Sequence, residues 1–226
     1  MEIENQKNES LHRRKIYPFF MVASLLILFD QATKLYFKGF NLFGIVHEGA
    51  EYGMPNPVIG DFLLWTFIEN PGMAFGIEFG AGKIFLSLFS VFASIGLAWL
   101  IVRISQRSIG ILIGFTLIFA GAVGNLIDRV FYGVFYGYAP LFYGKVVDFV
   151  QVDIPDIDFL GWTHFPIFNV ADSCVTVGVV FLIIFHKHLP EWHDIFPQKE
   201  TNTIETENIQ LINETESKIS PTAKED

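Results

Sequence analysis

Long apolar blocks constrain this chain more than any other feature. Four stretches each approach the roughly 20 mostly apolar residues that a helix needs to cross a hydrocarbon core. They are Ile16–Phe37 ("IYPFFMVASLLILFDQATKLYF"), Lys83–Val102, Ser108–Ile127 and Phe165–His186. The whole chain has 226 residues, 51% of them hydrophobic and 16% aromatic, with 25 Phe. A soluble domain of this length seldom carries such residues in unbroken runs. The expected fold class is an all-α integral membrane protein: four transmembrane helices with small extracytoplasmic β or loop elements.

The first block follows "HRRK" and lacks a small-residue cleavage site after its apolar core, so it reads as an uncleaved anchor. Arg13, Arg14 and Lys15 precede the first span, Arg103 and Arg107 join the second to the third, and Lys187 follows the fourth. With four spans these places share one side, which the positive-inside rule makes cytoplasmic, together with both termini. Segments 38–82 and 128–164 then face outward, and their Gly, Pro and alternating apolar residues suit strands or an interfacial helix. Glycines at 110, 114, 121 and 124 would let the third helix pack closely against neighbours. Three parts follow: a cytoplasmic segment 1–15, a membrane domain 16–189 and a tail 190–226. Part of the net charge of −9 comes from that polar, Glu- and Thr-rich tail, which holds too little apolar area to offset ordering entropy and reads as disordered. One cysteine, Cys174, excludes a disulfide framework or a multi-cysteine metal site. No basic surface interleaved with aromatics is present, which removes nucleic acid as a partner.

Ionisable residues inside apolar spans are costly, so their positions carry information. Asp30 and Lys34 lie four residues apart at the outer end of the first helix, on one face. Asn125, Asp128 and Arg129 cluster at the outer end of the third. Asn169 and Asp172 open the fourth, in "FNVADSCVTVGVVFLIIF", and Asp148 lies in "KVVDFV" between the third and fourth. The opposite halves of helices three and four are nearly pure Ile, Leu, Val and Phe. All the polar groups therefore sit at one depth, near the outer interface.

Taken singly, several have ordinary readings. Asp30 with Lys34 is an interfacial ion pair, Asp128 with Arg129 could pin a helix end, and Asn169 could be a helix cap. Asp172 is harder to dismiss, being past the cap and inside the span. Two carboxylates held together at low dielectric cannot both ionise comfortably, so one acts as acid while the other acts as base. Such a pair activates water without a metal or a covalent nucleophile. Asp148 and Asp172 are the candidate pair, although 24 residues separate them and spacing alone does not establish contact. No cofactor is expected.

At these residues the sequence resembles the bacterial lipoprotein signal peptidase family, signal peptidase II. The matching stretches are "DQATKLYF" (30–37), "ENPGMAFGI" (69–77), "GAVGNLIDRVFYG" (121–133), "VVDFV" (146–150) and "FPIFNVADSCVTVG" (165–178), in the family's order. The resemblance implies an aspartic endopeptidase of the bacterial inner membrane that acts near its outer face. It would remove signal peptides from diacylglyceryl-modified prolipoproteins, cutting just before the modified cysteine. Asp148 and Asp172 then take the catalytic positions, whichever carries the proton. Asp30, Lys34, Asn125, Asp128, Arg129 and Asn169 take supporting ones, and Asn70, Gly72, Ala74 and Phe75 belong to the loop that helps hold substrate. Its partners would be the prolipoprotein and membrane lipid, with the enzyme a monomer. An apparent insertion, "VFYGYAPLFYG" at 134–144, and the acidic tail depart from the family core.

Other chemistries are weaker. A transporter or proton relay through Asp30, Asp128 and Asp172 needs polar groups through the whole membrane, and the inner halves offer almost none. A thiol peptidase of Cys174 and His164 conflicts with the position of Cys174, two residues past Asp172 and so on another face. His12, His47, His164, His186, His188 and His193 show no zinc-ligand spacing. Asp153, Asp156 and Asp158 could bind a cation, but a solvated loop explains them more simply.

Overall fold

Helices with apolar outsides and polar insides organise the molecule. The computed structural model describes residues 16–72, 80–106, 108–157, 162–191 and 195. Arg13, Arg14, Lys15, Ala74, Phe75, Arg107, Asp158 and nearly all of the tail lie outside the described residues. Contacts group the chain into Met1–Pro190 and Glu191–Asp226.

Helix α1 spans Tyr17–Lys38, with Pro18 in its first turn, where a missing N–H costs nothing. Its buried residues are Ala23, Asp30, Lys34 and Phe37, while Met21, Leu25, Leu28 and Phe29 are exposed. A water-soluble helix shows the reverse arrangement, so this one is built for lipid. Gly39 ends α1 in the left-handed region (φ 82°), where a Cβ would meet the carbonyl oxygens of His47 and Glu48 at 2.6 Å. Strands β1 (Phe40–Leu42) and β2 (Ile45–His47) follow as a hairpin. Strands β3 (Asn56–Ile59) and β4 (Leu63–Asn70) start a second sheet.

Helix α2 runs from Gly80 to Arg103 and α3 from Ile109 to Ile127. A wide π turn, Asp128–Tyr132, and a short helical turn, Gly133–Phe135, continue α3. Strand β5 (Val146–Ile157) and β6 (Trp162–His164) complete an antiparallel sheet ordered β3-β4-β5-β6. The segments between the helices thus form a four-stranded sheet and a separate hairpin, the small β elements expected beside the helices. Burial explains β5: Val146, Val147, Asp148 and Phe149 are all at most 3% exposed, and such two-sided burial is what a continuous apolar strand provides. Phe149 stacks on Phe37 at 4.2 Å, joining the sheet to the end of α1.

Helix α4 is Val170–Ile184, so it starts later and ends earlier than Phe165–His186. Residues 165–169 are extended instead, because Phe168 exchanges backbone hydrogen bonds with Val150 of β5 and Pro166 has no N–H to offer a helix. Among the described residues, three helical stretches, Tyr17–Lys38, Gly82–Arg103 and Ile109–Phe135, are long and apolar enough to cross a membrane, and α4 is a shorter apolar helix.

Helix α3 contacts the other three. The glycine spacing anticipates this: a Cβ at Gly114 would meet Leu182 at 2.6 Å, and one at Gly178 the carbonyl oxygen of Gly114 at 2.7 Å. A Cβ at Gly121 would run into the Ala171 carbonyl oxygen, which is backbone and cannot turn aside. Gly121→Ala is therefore expected to separate α3 from α4 and destabilise the protein by about 2 kcal/mol. Thermal unfolding checks this, and an unchanged midpoint would contradict the close approach.

Candidate active site

The C-terminal ends of α1 and α3, the N-terminus of α4 and strand β5 meet at one place, where a single polar network forms. Its centre is Lys34, with no exposed surface. Its three ammonium protons are all taken: by Asp30 at 2.9 Å, Asp128 at 2.8 Å and the Asn125 side-chain oxygen at 2.9 Å. The helical i, i+4 spacing puts Asp30 beside it, whereas α3 brings the other two.

Lys34 then fixes what lies beyond. An ammonium only donates, so Asn125 must turn its oxygen toward Lys34, and its NH2 group points to Asp172, 2.8 Å from Oδ1. Asp172 sits at the third position of α4 in a capping box: Asn169 Oδ1 accepts from the Asp172 N–H at 2.9 Å, and Asp172 Oδ2 accepts from the Asn169 N–H at 3.2 Å. Asn169 is thus the cap that its residue type suggests. It also does more, because its side-chain NH2 donates to Asp148 Oδ1 at 2.7 Å and to Asn125 Oδ1 at 3.0 Å. One asparagine holds both candidate carboxylates, one through its side chain and the other through its backbone. Asp128 supports the arrangement from below, accepting from the Val147 N–H at 3.2 Å next to Asp148. Asp30 accepts from the Ala171 N–H at 2.9 Å, placing negative charge at the positive end of α4.

Charge is unbalanced here. Arg129 interacts electrostatically with Asp128, Asp172 and Asp148, so Lys34 and Arg129 are the cations facing Asp30, Asp128, Asp148 and Asp172. A proton on one carboxylate relieves the excess. Burial, reinforced by the charge of Asp172, pushes the Asp148 carboxyl up to about 7, while hydrogen bonds from Asn70 and Asn169 hold it down in part. Asp148 is 1% exposed and Asp172 is half-buried, so only the second meets solvent. The arrangement thus brings a buried carboxyl and a partly exposed one to the same side chain, Asn169.

Asn70, on β4 diagonally across from Asp148, accepts from the Gly72 N–H at 2.9 Å, which leaves its NH2 group for Asp148. Gly72 has φ 80°, suited to this turn. Cys174 is buried in α4 and makes none of the hydrogen bonds of the network described above. Among the described residues, no group of three or more His, Cys, Asp and Glu side chains could hold a metal ion.

Two features escaped the sequence reading. Gln31 donates to Asp128 at 2.9 Å and to the Gly124 carbonyl at 3.0 Å, and accepts from the Tyr132 hydroxyl at 3.1 Å. Its signal was its place in "DQATK", one residue from Asp30 in a helix that should face lipid. Glu69 forms ion pairs with both Lys38 and Lys145, and Tyr136 and Tyr138 of the 134–144 segment lie against the Lys38 ammonium. The stripe Asp30, Lys34, Lys38 at i, i+4, i+8 would have revealed the lysine. This bridge ties α1, β4 and the residue just before β5 together, within one residue of Asn70.

Asn169 permits a separation of roles. Asn169→Ser keeps a capping oxygen but cannot reach Asp148, whereas Asn169→Ala loses both. The alanine variant is expected to be less stable than the serine variant by about 1 kcal/mol. Thermal unfolding of the two checks this, and equal midpoints would mean that the cap is dispensable.

The fold and the site together define a helical membrane protein with a network of carboxylates, amides and cations gathered at one end of its helices. The family model described as Signal peptidase (SPase) II matches residues 22–187. Similar proteins include the lipoprotein signal peptidases of Porphyromonas gingivalis, 34% identical over 73% of this chain and 81% of that one, and of Chlorobium phaeobacteroides, 34% identical over 81% and 97%. The corresponding protein of Pelodictyon phaeoclathratiforme is 36% identical over 76% of this chain and 90% of its own. Two bacterial membrane enzymes solved by the in meso method are 31% and 30% identical, with TM-scores of 0.59 and 0.58. They cover 77% and 84% of this chain, and 96% and 97% of their own lengths. The chain belongs to the signal peptidase II family.

Proposed function

We propose that the protein is an aspartic endopeptidase that removes the signal peptide from diacylglyceryl-modified prolipoproteins, cutting just before the modified cysteine. The observation that carries this is the Asn169 bridge, which holds Asp148 and Asp172 together while Asp148 is pushed up to about 7. Family membership supports the substrate class, since the similar proteins are named lipoprotein signal peptidases.

The chemistry follows from the two environments. Asp148 carries the shared proton on Oδ2, because its Oδ1 accepts from Asn169. Asp172, open to solvent, takes a proton from water as the water oxygen attacks the scissile carbonyl. Asp148 gives its proton to the carbonyl oxygen, and collapse of the resulting diol returns a proton to the leaving amine. The pair titrates as a unit. Asn70 and the turn at Gly72 would grip the chain on the sheet side. The substrate's acyl chains enter from the bilayer between helices, and water reaches the scissile bond at the interface. This reading has α4 as a fourth span, both termini in the cytoplasm, the site at the outer face of the inner membrane, and a monomeric enzyme in contact with substrate and lipid alone.

Cleavage of a purified diacylglyceryl-modified prolipoprotein in lipid tests the proposal. Cleavage is expected before the modified cysteine and unaffected by a chelator. The rate is expected to fall about tenfold per pH unit above about 7, because the acid must be protonated and Asp148 loses its proton there. A rate that rises through that range, or a chelator that stops the reaction, would overturn the mechanism.

A further inference from the structure

The β1–β2 hairpin forms a sheet of its own, not paired with the four-stranded sheet. Its tip is apolar and bare: Phe43 is 102% exposed, Ile45 67% and Val46 65%. No charged residue occurs from Gly39 to His47. A two-stranded ribbon is at best marginally stable in water by itself, and three bare apolar side chains make water a poor surrounding.

The turn makes the point more sharply. Phe43 and Gly44 have φ of 51° and 84°, so both central residues of a two-residue turn are left-handed. Asn or Gly suits the first position, and a bulky aromatic there is strained. Full exposure means that Phe43 contributes no packing to offset that strain. What favours Phe at this position must therefore lie outside the protein.

The place of the hairpin indicates what that is. Helix α1 from Tyr17 to Phe37 rises about 30 Å, the thickness of a hydrocarbon core. The boundary of the lipid thus falls near Tyr36, itself 62% exposed, and the hairpin begins at Phe40. Its root is pinned there. The Ala50 N–H donates to the Phe37 carbonyl at 2.8 Å, His47 Nε2 donates to the Tyr36 carbonyl at 2.8 Å, and the two rings stack at 5.0 Å. Three residue pairs extend about 10 Å from that root, which reaches the headgroup and upper acyl region and no deeper.

We infer that the Phe40–His47 hairpin is a lipid-surface anchor, whose Phe43 tip inserts at the headgroup–acyl boundary of the leaflet on the site's side. Lipid suits this surface better than a second copy of the chain. An eight-residue ribbon cannot supply the roughly 800 Å² per partner of a stable protein interface. A bilayer, in contrast, continues the apolar surface that α1 already presents.

Spin labelling tests the anchor in the full chain. Phe43→Cys is made in a Cys174→Ala background, labelled with a nitroxide, and reconstituted in phosphatidylethanolamine–phosphatidylglycerol vesicles. Its collision rates with oxygen and a water-soluble nickel chelate are compared with those of Asp61→Cys in the β3–β4 turn. The oxygen-to-nickel ratio is expected to be at least about threefold higher at position 43, as befits a shallow interfacial site. Ile45→Cys, at a position that is also well exposed, is expected to give the same result should the first variant express poorly. A label at 43 that meets the nickel chelate as freely as that at 61 would place the tip in water. Label–label broadening that grows with the labelled fraction would show a second copy on the tip, and protection from both reagents a protein cover. Each of these outcomes overturns the anchor.

Discussion

Asp148→Asn and Asp172→Asn are each expected to lower cleavage of a diacylglyceryl-modified prolipoprotein by about 10²–10⁴-fold, the range that general acid–base catalysis contributes. The two variants differ in stability for a reason visible in their hydrogen bonds. Asp148 Oδ1 accepts from Asn169, and an amide oxygen can do the same, so Asp148→Asn keeps the Asn169 bond and removes a carboxyl that burial disfavours when charged. Asp172 accepts on both oxygens, from Asn125 and from the Asn169 N–H. An amide offers a single acceptor, so one N–H donor would face an NH2 group. Asp172→Asn is therefore expected to cost about 1 kcal/mol as well as activity. Cleavage rate and thermal unfolding, measured on both variants in the same lipid, check the pair. Normal cleavage by Asp172→Asn would end the carboxylate-pair assignment.

Lys34→Met is expected to have the largest effect on stability. Lys34 is fully buried, and its three protons serve Asp30, Asp128 and Asn125. Removing the cation leaves the buried Asp30 and Asp128 carboxylates without their shared ammonium partner, a loss of about 3–5 kcal/mol for a broken buried ion pair. For a chain of this size the unfolding midpoint should drop by roughly 10 °C. Asn125 also loses the group that orients its amide, so the Asp172 contact loosens with it. The added change Asp128→Asn removes one uncompensated charge, and the double variant is expected to recover part of the midpoint. If Lys34→Met unfolded normally, the ammonium would not be the centre of the network.

Polar residues inside apolar helices were legible because burial makes them expensive wherever they occur. Asp30 with Lys34 was readable from helical spacing, Asn169 as a cap from its residue type, and the glycines of α3 from their recurrence on a packing face. Gln31 was not, since its partners Asp128, Gly124 and Tyr132 are all on α3 and its continuation. The start of α4 was misplaced for a related reason. Residues 165–168 are as apolar as the helix that follows, and only the pairing of Phe168 with Val150 makes them extended. Glu69 reads as an ordinary strand residue until Lys38 of α1 and Lys145, just before β5, arrive beside it.

By itself the sequence determined a membrane protein whose carboxylates inside the apolar helices gather near one end, because apolar run length and the cost of burying charge are local properties of a chain. Only the tertiary structure decided that Asp148 and Asp172 share Asn169, that Lys34 orients Asn125, and that Asp148 is the buried member of the pair. Hydrogen bonds and desolvation act over a few ångströms, and which residues come that close depends on how β5 and the N-terminus of α4 are folded onto the ends of α1 and α3.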